Sequence, residues 1–173
     1  MSYCIFCKNL PEDNVHKVYH DTEYGFPLEA DNELFGRLIL EINQAGISWE
    51  IILKKKEGFR KAYDNFDIDI ISTYEAYDFE RLMQDSSIIR NKLKIGAAIH
   101  NAKVIKGLQE EFGSFKNWID HLHPLTKEEW VKIFKKKFKF TGGEIVNSFL
   151  MSIGYLPGAH DPDCEIYFKT MKL

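Results

Sequence analysis

Apolar residues recur at steps of three and four over most of the chain, the spacing that places them on one side of an α-helix. A first helix is predicted to begin at an N-cap on Asp31 and to end at Gly46. A second is predicted to begin at a cap on Ser48. The apolar positions that define these two helices are Leu34, Leu38, Ile42, Ala45, Ile51, Ile52 and Phe59.

The same periodicity predicts five more helices downstream. Two short ones cover 68–72 and 77–83, and a long one carries apolar residues from Ile95 to Phe112 and ends at Gly113. Thr126 and Glu129 form a capping box that opens the next, and the last carries apolar residues over 145–153 and ends at Gly154. Because no segment alternates in the manner of a strand, the predicted fold class is all-α.

Length and composition indicate one globular domain. The chain has 173 residues, of which 45% are hydrophobic, enough to build a core. We predict a single domain over 1–173, with a central helical part at about 31–153 and irregular ends at 1–27 and 155–173. No run of eighteen apolar residues predicts a membrane span, and the N-terminus lacks a secretory signal, so we expect a cytoplasmic protein. The sequence does not specify an oligomeric state, and a monomer fits it.

The net charge of −3 is unusual for a nucleic-acid binder, but the positive charge is clustered. Four lysines at 135, 136, 137 and 139 precede the adjacent glycines Gly142 and Gly143. Glycines at a helix start let backbone N–H groups approach an anion, so this segment is a candidate site for a DNA phosphate. An ordinary tight turn between two helices is the alternative, and the carboxylate of Glu144 would repel phosphate.

Cysteines and histidines at the two ends of the chain form a candidate metal site. Its members would be Cys4, His20, His160 and Cys164. Two Cys and two His complete a tetrahedral zinc site with no open position, which makes the metal structural. Two alternatives stay open: Cys7 in place of Cys4, or unpaired thiols and surface histidines without a metal.

Glu41 is a carboxylate at an apolar position. It lies on the same helix side as Leu34, Leu38 and Ala45. Burial of an unpaired carboxylate is costly, and such residues are often functional. With the indole of Trp49 nearby, Glu41 would form a pocket for a flat cation. The alternative is that this side of the helix is turned toward water.

Several runs of residues resemble the DNA-3-methyladenine glycosylase I family, a branch of the helix-hairpin-helix glycosylases. The matching runs are 19–25 (YHDTEYG), 40–49 (LEINQAGISW), 53–56 (LKKK), 88–91 (IIRN), 138–142 (FKFTG), and the pair His160 and Cys164. They follow the family's order along nearly the whole chain. The resemblance implies a helix-hairpin-helix glycosylase fold whose termini are joined by one structural zinc per chain.

The resemblance also implies an activity and residue roles. The protein would flip 3-methyladenine out of alkylated double-stranded DNA and hydrolyse its N-glycosidic bond without cutting the strand. Glu41 would contact the base and act in catalysis, Trp49 would stack on the base, and Tyr19 would hydrogen-bond near it. The implied zinc ligands are Cys4, His20, His160 and Cys164, and the implied DNA-backbone contacts are Lys139, Thr141, Gly142 and Gly143.

The chain departs from the family pattern in and around the expected pocket. Phe6 and Tyr24 stand where tryptophan is usual, His16 stands where a pocket tyrosine is common, and Glu144 replaces a neutral residue. The segment between Trp118 and Trp130 is also shorter than usual. These departures keep a second hypothesis open, a helix-hairpin-helix module that binds damaged DNA without excision. A zinc hydrolase is a third, and it requires an open metal position.

Overall fold

The computed structural model describes residues 2–170, and within them it contains α-helices and one 3-10 turn but no strand, which confirms the all-α prediction. The α-helices of this range are α1 (Tyr3–Lys8), α2 (Val15–Thr22), α3 (Asp31–Gln44), α4 (Trp49–Ala62), α5 (Ile68–Ile71), α6 (Ala76–Gln84), α7 (Lys92–Phe112), α8 (Phe115–Leu122), α9 (Lys127–Lys137), α10 (Gly143–Ser152) and α11 (Tyr167–Thr170).

The predicted caps are mostly correct. The hydroxyl of Ser48 accepts from the backbone of α4, Gly113 ends α7 at a φ of 85°, and Thr126 and Glu129 form both bonds of the capping box of α9. The N-cap predicted at Asp31 is wrong, because Ala30 occupies that position. The Asp31 carboxylate instead accepts N–H groups from the start of α8, a helix that the pattern did not predict.

The N-terminal region is less irregular than predicted. Residues 3–8 and 15–22 form α1 and α2, and their caps Ser2 and Asn14 accept backbone N–H groups. Six- and eight-residue helices offer too few turns for an apolar period to emerge, which is why the sequence pattern missed them.

Helix α3 lies at the centre of the molecule. Ten consecutive residues, Leu34–Asn43, are buried, so α3 is covered on all of its sides. One continuous apolar core surrounds it and includes the fully buried indoles of Trp118 and Trp130. Any polar side chain in the middle of α3 therefore lies inside the protein.

Helix α7 fixes two neighbouring segments. The ammonium of Lys94 donates to the carbonyl oxygens of Asn43 (2.8 Å) and Ala45 (2.6 Å) at the carboxyl end of α3, where a cation is favourable. The side chain of Asn101 exchanges two hydrogen bonds with the backbone of Lys139, at 2.8 and 3.0 Å. These contacts fix the turn after α3 and the segment between α9 and α10.

No helix within residues 2–170 combines the length and apolarity needed to cross a membrane.

Candidate active site and metal centre

A cavity of about 230 Å³ lies at the carboxyl end of α3. Its lining residues are Tyr3, Tyr19, Tyr24, Glu41, Gln44, Trp49 and Ser148. The volume is below the roughly 300–1,000 Å³ typical of pockets for drug-sized ligands, so the cavity suits a single planar ring system. We call it the base pocket. The structure thus brings together Glu41, Trp49 and Tyr19, the three residues predicted to surround a base.

The carboxylate of Glu41 is the distinctive group of the base pocket. Its residue is only 5% exposed, which excludes the alternative in which this side of α3 faces bulk water. Within residues 2–170, no protein group donates a hydrogen bond to this carboxylate. Burial raises the pKa of Glu41 to about 7, although the nearby cation of Arg37 acts in the opposite direction. An acceptor without a protein partner is therefore directed at the cavity.

Aromatic rings form the walls of the base pocket. The ring of Tyr19 meets the indole of Trp49 edge-on at a centroid distance of 5.3 Å, and it lies 5.7 Å from the ring of Tyr24. The ring of Tyr3 stands perpendicular to that of Tyr24 at 5.5 Å. Aromatic faces attract flat cations, so these walls complement the negative charge that Glu41 carries when ionised.

Arg37 lies one helical turn before Glu41 and behind the base pocket. Its guanidinium donates to the hydroxyl of Tyr19 (3.4 Å), to the carbonyl oxygen of Ser152 (3.1 Å) and to the carboxylate of Glu23 (3.3 Å). Arginine has only donors, so the Tyr19 oxygen accepts here. The Tyr19 proton is therefore free to be donated to a ligand.

Replacing Arg37 by methionine is expected to raise the pKa of Glu41 above 7, because the substitution removes a cation that favours the ionised carboxylate. The ionised fraction of Glu41 at pH 7 would then be smaller than in the wild-type protein. The carboxyl resonance of Glu41 in a pH titration by NMR measures this shift. Lys56→Met is the matched control, since Lys56 pairs with the same Glu23. Equal midpoints in Arg37→Met and wild-type protein would contradict the prediction.

The candidate metal ligands from the two ends of the chain meet in one cluster. The ligand atoms of Cys4, His20, His160 and Cys164 all lie within 4.8 Å of one another. The sulfur-to-nitrogen distances range from 3.3 to 3.9 Å, and the two histidine nitrogens are 3.2 Å apart. A tetrahedral zinc with bonds of about 2.3 Å to sulfur and about 2.05 Å to nitrogen gives separations of about 3.5 and about 3.3 Å. The donor set and its spacing fit such an ion.

Outer hydrogen bonds turn the histidine nitrogens toward the centre of the cluster. The Nδ1 of His20 lies 2.6 Å from the carboxylate of Asp21, and the Nε2 of His160 lies 2.6 Å from the carbonyl oxygen of Tyr24. Each of these nitrogens carries the proton, which leaves the other as the bare donor for a metal. Both histidines are buried, which excludes the alternative of surface histidines.

Cys7 lies outside the cluster. Its thiol is buried and donates weakly to the carbonyl oxygen of His16, at 3.7 Å. The structure therefore groups Cys4, not Cys7, with the other three ligands. Four protein donors leave no open position on a tetrahedral ion, so the zinc-hydrolase hypothesis has no support in this geometry.

The segment between α9 and α10 forms a hairpin held from within. Lys139 is exposed, whereas Thr141 is buried and donates its hydroxyl to the carbonyl oxygen of Phe134 at 3.1 Å. The Thr141 side chain thus acts inside the hairpin and is not available to a ligand. Gly142 is the N-cap of α10 with a φ of −69°, and a Cβ there would meet no protein atom within 4 Å. Neither backbone conformation nor internal packing requires a glycine at this position.

Four lining residues of the base pocket were not predicted from the sequence. They are Tyr3, Tyr24, Gln44 and Ser148. Tyr24 and Gln44 fall inside the runs that carry the family resemblance, which was an available signal. Tyr3 and Ser148 lie in none of these runs, and only the fold brings them to α3.

Known proteins resemble this chain over most of its length. A family model described as methyladenine glycosylase matches residues 9–136. DNA-3-methyladenine glycosylase 1 of Escherichia coli K12 is 32% identical over 93% of this chain and 96% of its own length. DNA-3-methyladenine glycosylase of Haemophilus influenzae is 33% identical over 91% and 95%, respectively.

Solved structures agree with these relatives. The 3-methyladenine DNA glycosylase I of Staphylococcus aureus superposes with a TM-score of 0.81 at 31% identity, over 90% of this chain and 93% of that one. A variant of 3-methyladenine DNA glycosylase I in complex with 3-methyladenine gives a TM-score of 0.83 at 30% identity, over 96% and 97%.

Proposed function

The chain belongs to the methyladenine glycosylase family, and we propose that it excises 3-methyladenine from alkylated double-stranded DNA by hydrolysing the N-glycosidic bond. One observation carries the residue-level mechanism: the buried carboxylate of Glu41 has no donor among residues 2–170 and faces an aromatic cavity. Such a site selects a flat, positively charged base that carries N–H groups.

The mechanism begins with extrusion of the damaged base from the duplex into the base pocket. Trp49 stacks on the cationic ring, Glu41 accepts hydrogen bonds from its N–H groups, and Tyr19 donates its free proton to a ring nitrogen. The glycosidic C–N bond then breaks, and its electron pair neutralises the base. Water adds to the oxocarbenium-like sugar and releases a proton. The cationic base is already a good leaving group, so Glu41 acts through recognition and charge, not as a proton donor.

Base release from methylated DNA tests this function directly. Purified protein is incubated with double-stranded DNA treated with a methylating agent, and the released bases are identified by mass spectrometry. We expect 3-methyladenine and an intact phosphodiester backbone at the abasic sites. Retained DNA binding without base release would favour the non-catalytic module instead.

We further propose that Cys4, His20, His160 and Cys164 hold one zinc ion per chain. The spacing of the four donors and the outer hydrogen bonds to the two histidines support this ligand set. The ion would join the two ends of the chain and take no part in the reaction, because four protein donors saturate it.

The hairpin between α9 and α10 is the proposed binding site for the DNA backbone. The N–H groups at the start of α10 and the ammonium of Lys139 would bind a phosphate, and the absence of a side chain at Gly142 lets the backbone approach it. The carboxylate of Glu144 is 91% exposed and pairs with Lys127 at 3.3 Å. That pairing partly offsets its repulsion of phosphate.

Two substitutions in the hairpin are expected to weaken DNA binding without changing the fold. Gly142→Ala should block close approach of a phosphate, and Lys139→Gln should reduce the slope of log affinity against log salt by about 0.9. Fluorescence anisotropy with a DNA duplex at several salt concentrations measures both effects. Lys61→Gln, at an exposed lysine near the end of α4, is the control. Unchanged affinities would remove the hairpin from the DNA interface.

We propose that the protein acts as a monomeric single domain in the cytoplasm. The three cysteines at 4, 7 and 164 form no disulfide, which suits a reducing compartment.

A further inference from the structure

The base pocket and the metal cluster share their framework. Tyr3 and Tyr19, two aromatic walls of the base pocket, directly precede the metal ligands Cys4 and His20 in the chain. Each of these two aromatic residues is therefore the immediate neighbour of a metal ligand in the backbone. A displacement of either ligand would be transmitted to the wall beside it.

A third wall is tied to the cluster by a hydrogen bond. The carbonyl oxygen of Tyr24 accepts from the Nε2 of the ligand His160 at 2.6 Å, and the two rings lie 5.5 Å apart. Each of the three tyrosines of the base pocket is therefore joined to the ligand cluster, by the backbone or by a hydrogen bond. Glu41 and Trp49, by contrast, are carried by α3 and α4.

We propose that Tyr3 is a base-binding wall of the base pocket, and that metal binding at Cys4 sets its position. This inference rests on the proposed excision of 3-methyladenine. It assigns to the metal centre a role in substrate recognition beyond that of a fastener between the two ends of the chain.

Tyr3 depends on external anchors because its helix is too short to be stable alone. Helix α1 has six residues, and isolated helices shorter than about 12–15 residues are marginal in water. The hydroxyl of Ser2 donates to the carboxylate of Asp161, and the thiol of Cys4 lies 3.3 Å from the Nε2 of His20. A metal bound to Cys4 would add a further anchor, because it would join α1 directly to His20 of α2 and to the C-terminal ligands His160 and Cys164.

Contacts to the hydroxyl and to the ring orient the side chain of Tyr3. Its hydroxyl lies 3.0 Å from the Nδ1 of His16, the position where the resembled family commonly has a pocket tyrosine. Its ring meets those of His20 and Tyr24 edge-on, at 5.6 and 5.5 Å. Tyr3 therefore lies between the metal cluster and the cavity. His16 acts as its positioning partner, since His16 does not itself line the cavity.

The first test compares binding of free 3-methyladenine by tryptophan fluorescence quenching in wild-type protein and three variants. Tyr3→Ala should weaken binding roughly tenfold, because a pocket wall is lost. His16→Leu should weaken it roughly threefold by releasing the ring. Tyr77→Ala, at a tyrosine 79% exposed on α6, should bind as wild type does. Metal content and melting temperature, measured on each variant, separate loss of a wall from loss of the fold.

The second test measures coupling between metal and base. If the metal positions Tyr3, saturating 3-methyladenine must tighten zinc binding by the same factor as zinc tightens base binding, and such couplings are typically about 5–150-fold. A competition titration with a chromophoric chelator measures zinc affinity with and without the base. The coupling should be present in wild-type protein and reduced toward none in Tyr3→Ala.

The outcomes separate this inference from the proposed function. If Tyr3→Ala binds the base as tightly as Tyr77→Ala does, Tyr3 is not a wall and the inference fails, although excision by the wild-type enzyme stands. If the zinc affinity of the wild-type protein is the same with and without the base, the metal does not position the pocket wall and the inference again fails. If the wild-type protein neither binds nor releases 3-methyladenine, the proposed function itself is overturned.

Discussion

The Glu41→Gln variant is expected to excise 3-methyladenine on the order of a hundredfold more slowly than the wild-type protein at pH 8, and also to be more stable. Hydrogen bonds to a charged group contribute roughly 1.5–3 kcal/mol, and glutamine keeps the size of the side chain while removing its charge. The amide can still accept one hydrogen bond from the base, but it no longer attracts a cation. Both the charge of Glu41 and its recognition of the base are therefore tested by one substitution.

The expected gain in stability follows from the direction of the pKa shift. The folded protein holds the Glu41 proton up to a pKa of about 7, whereas the ordinary value is 4.5. The folded state thus binds more protons than the unfolded state between these values, and stability falls as pH rises through that window. Above it, burial of the ionised carboxylate costs up to about 3 kcal/mol. Glutamine, neutral at every pH, avoids this cost.

Melting temperatures at pH 5 and pH 8 measure the effect on stability. The variant should exceed the wild-type protein only slightly at pH 5, near the lower end of that window, and at pH 8 it should melt several degrees higher. Glu80→Gln, at an exposed carboxylate of α6, is the control that should change neither activity nor stability. A variant with wild-type excision would remove Glu41 from the mechanism, and a variant that melts lower at pH 8 would show that its carboxylate is stabilised by the fold.

The position of Glu41 illustrates what the sequence could and could not predict. Its spacing from Leu34 and Leu38 placed it correctly on an apolar side of α3. The pattern could not tell whether that side faces water, because α3 is buried on all sides and every position from 34 to 43 is covered. Complete burial is a property of the neighbouring helices, which the periodicity of one helix does not contain.

Long-range contacts account for the other differences. The carboxylate of Asp31 was predicted to cap its own helix, but it accepts N–H groups from Phe115 and Lys116 at the start of α8. A propensity for caps indicates that a residue caps a helix without indicating which one. Tyr3 was missed for a related reason, since it reaches the base pocket through the packing of α1 against α2, which brings its ring to those of His20 and Tyr24.

Removal of one metal ligand is the second substitution with a large expected effect. Cys164→Ser should lose bound metal and melt about 10 °C lower than the wild-type protein. An ion present at a thousandfold excess over its dissociation constant stabilises the fold by about 4 kcal/mol, and each kcal/mol corresponds to roughly 2–4 °C in a chain of this size. Elemental analysis of purified protein should give about one zinc per wild-type chain.

The ends of the chain explain why the metal contributes so much there. Between Tyr155 and Thr170 only Leu156 and Ile166 are buried apolar residues, and α11 is a single turn. This segment therefore has little apolar burial of its own to offset the entropy of ordering it. The cluster supplies the missing free energy, because metal binding counts toward folding when the site forms only in the folded state.

The two cysteines of α1 provide a matched pair of substitutions that tests which of them is a metal ligand. Cys4→Ser should behave as Cys164→Ser does, whereas Cys7→Ser, which removes a buried thiol outside the cluster, should keep its metal. A strong chelator should lower the melting temperature of wild-type protein to that of Cys164→Ser and leave that variant unchanged, because both perturbations remove the same interaction. Metal loss in Cys7→Ser but not in Cys4→Ser would show that Cys7, and not Cys4, binds the ion. Additive effects of chelator and Cys164→Ser would show that the thiol stabilises the fold without binding the ion.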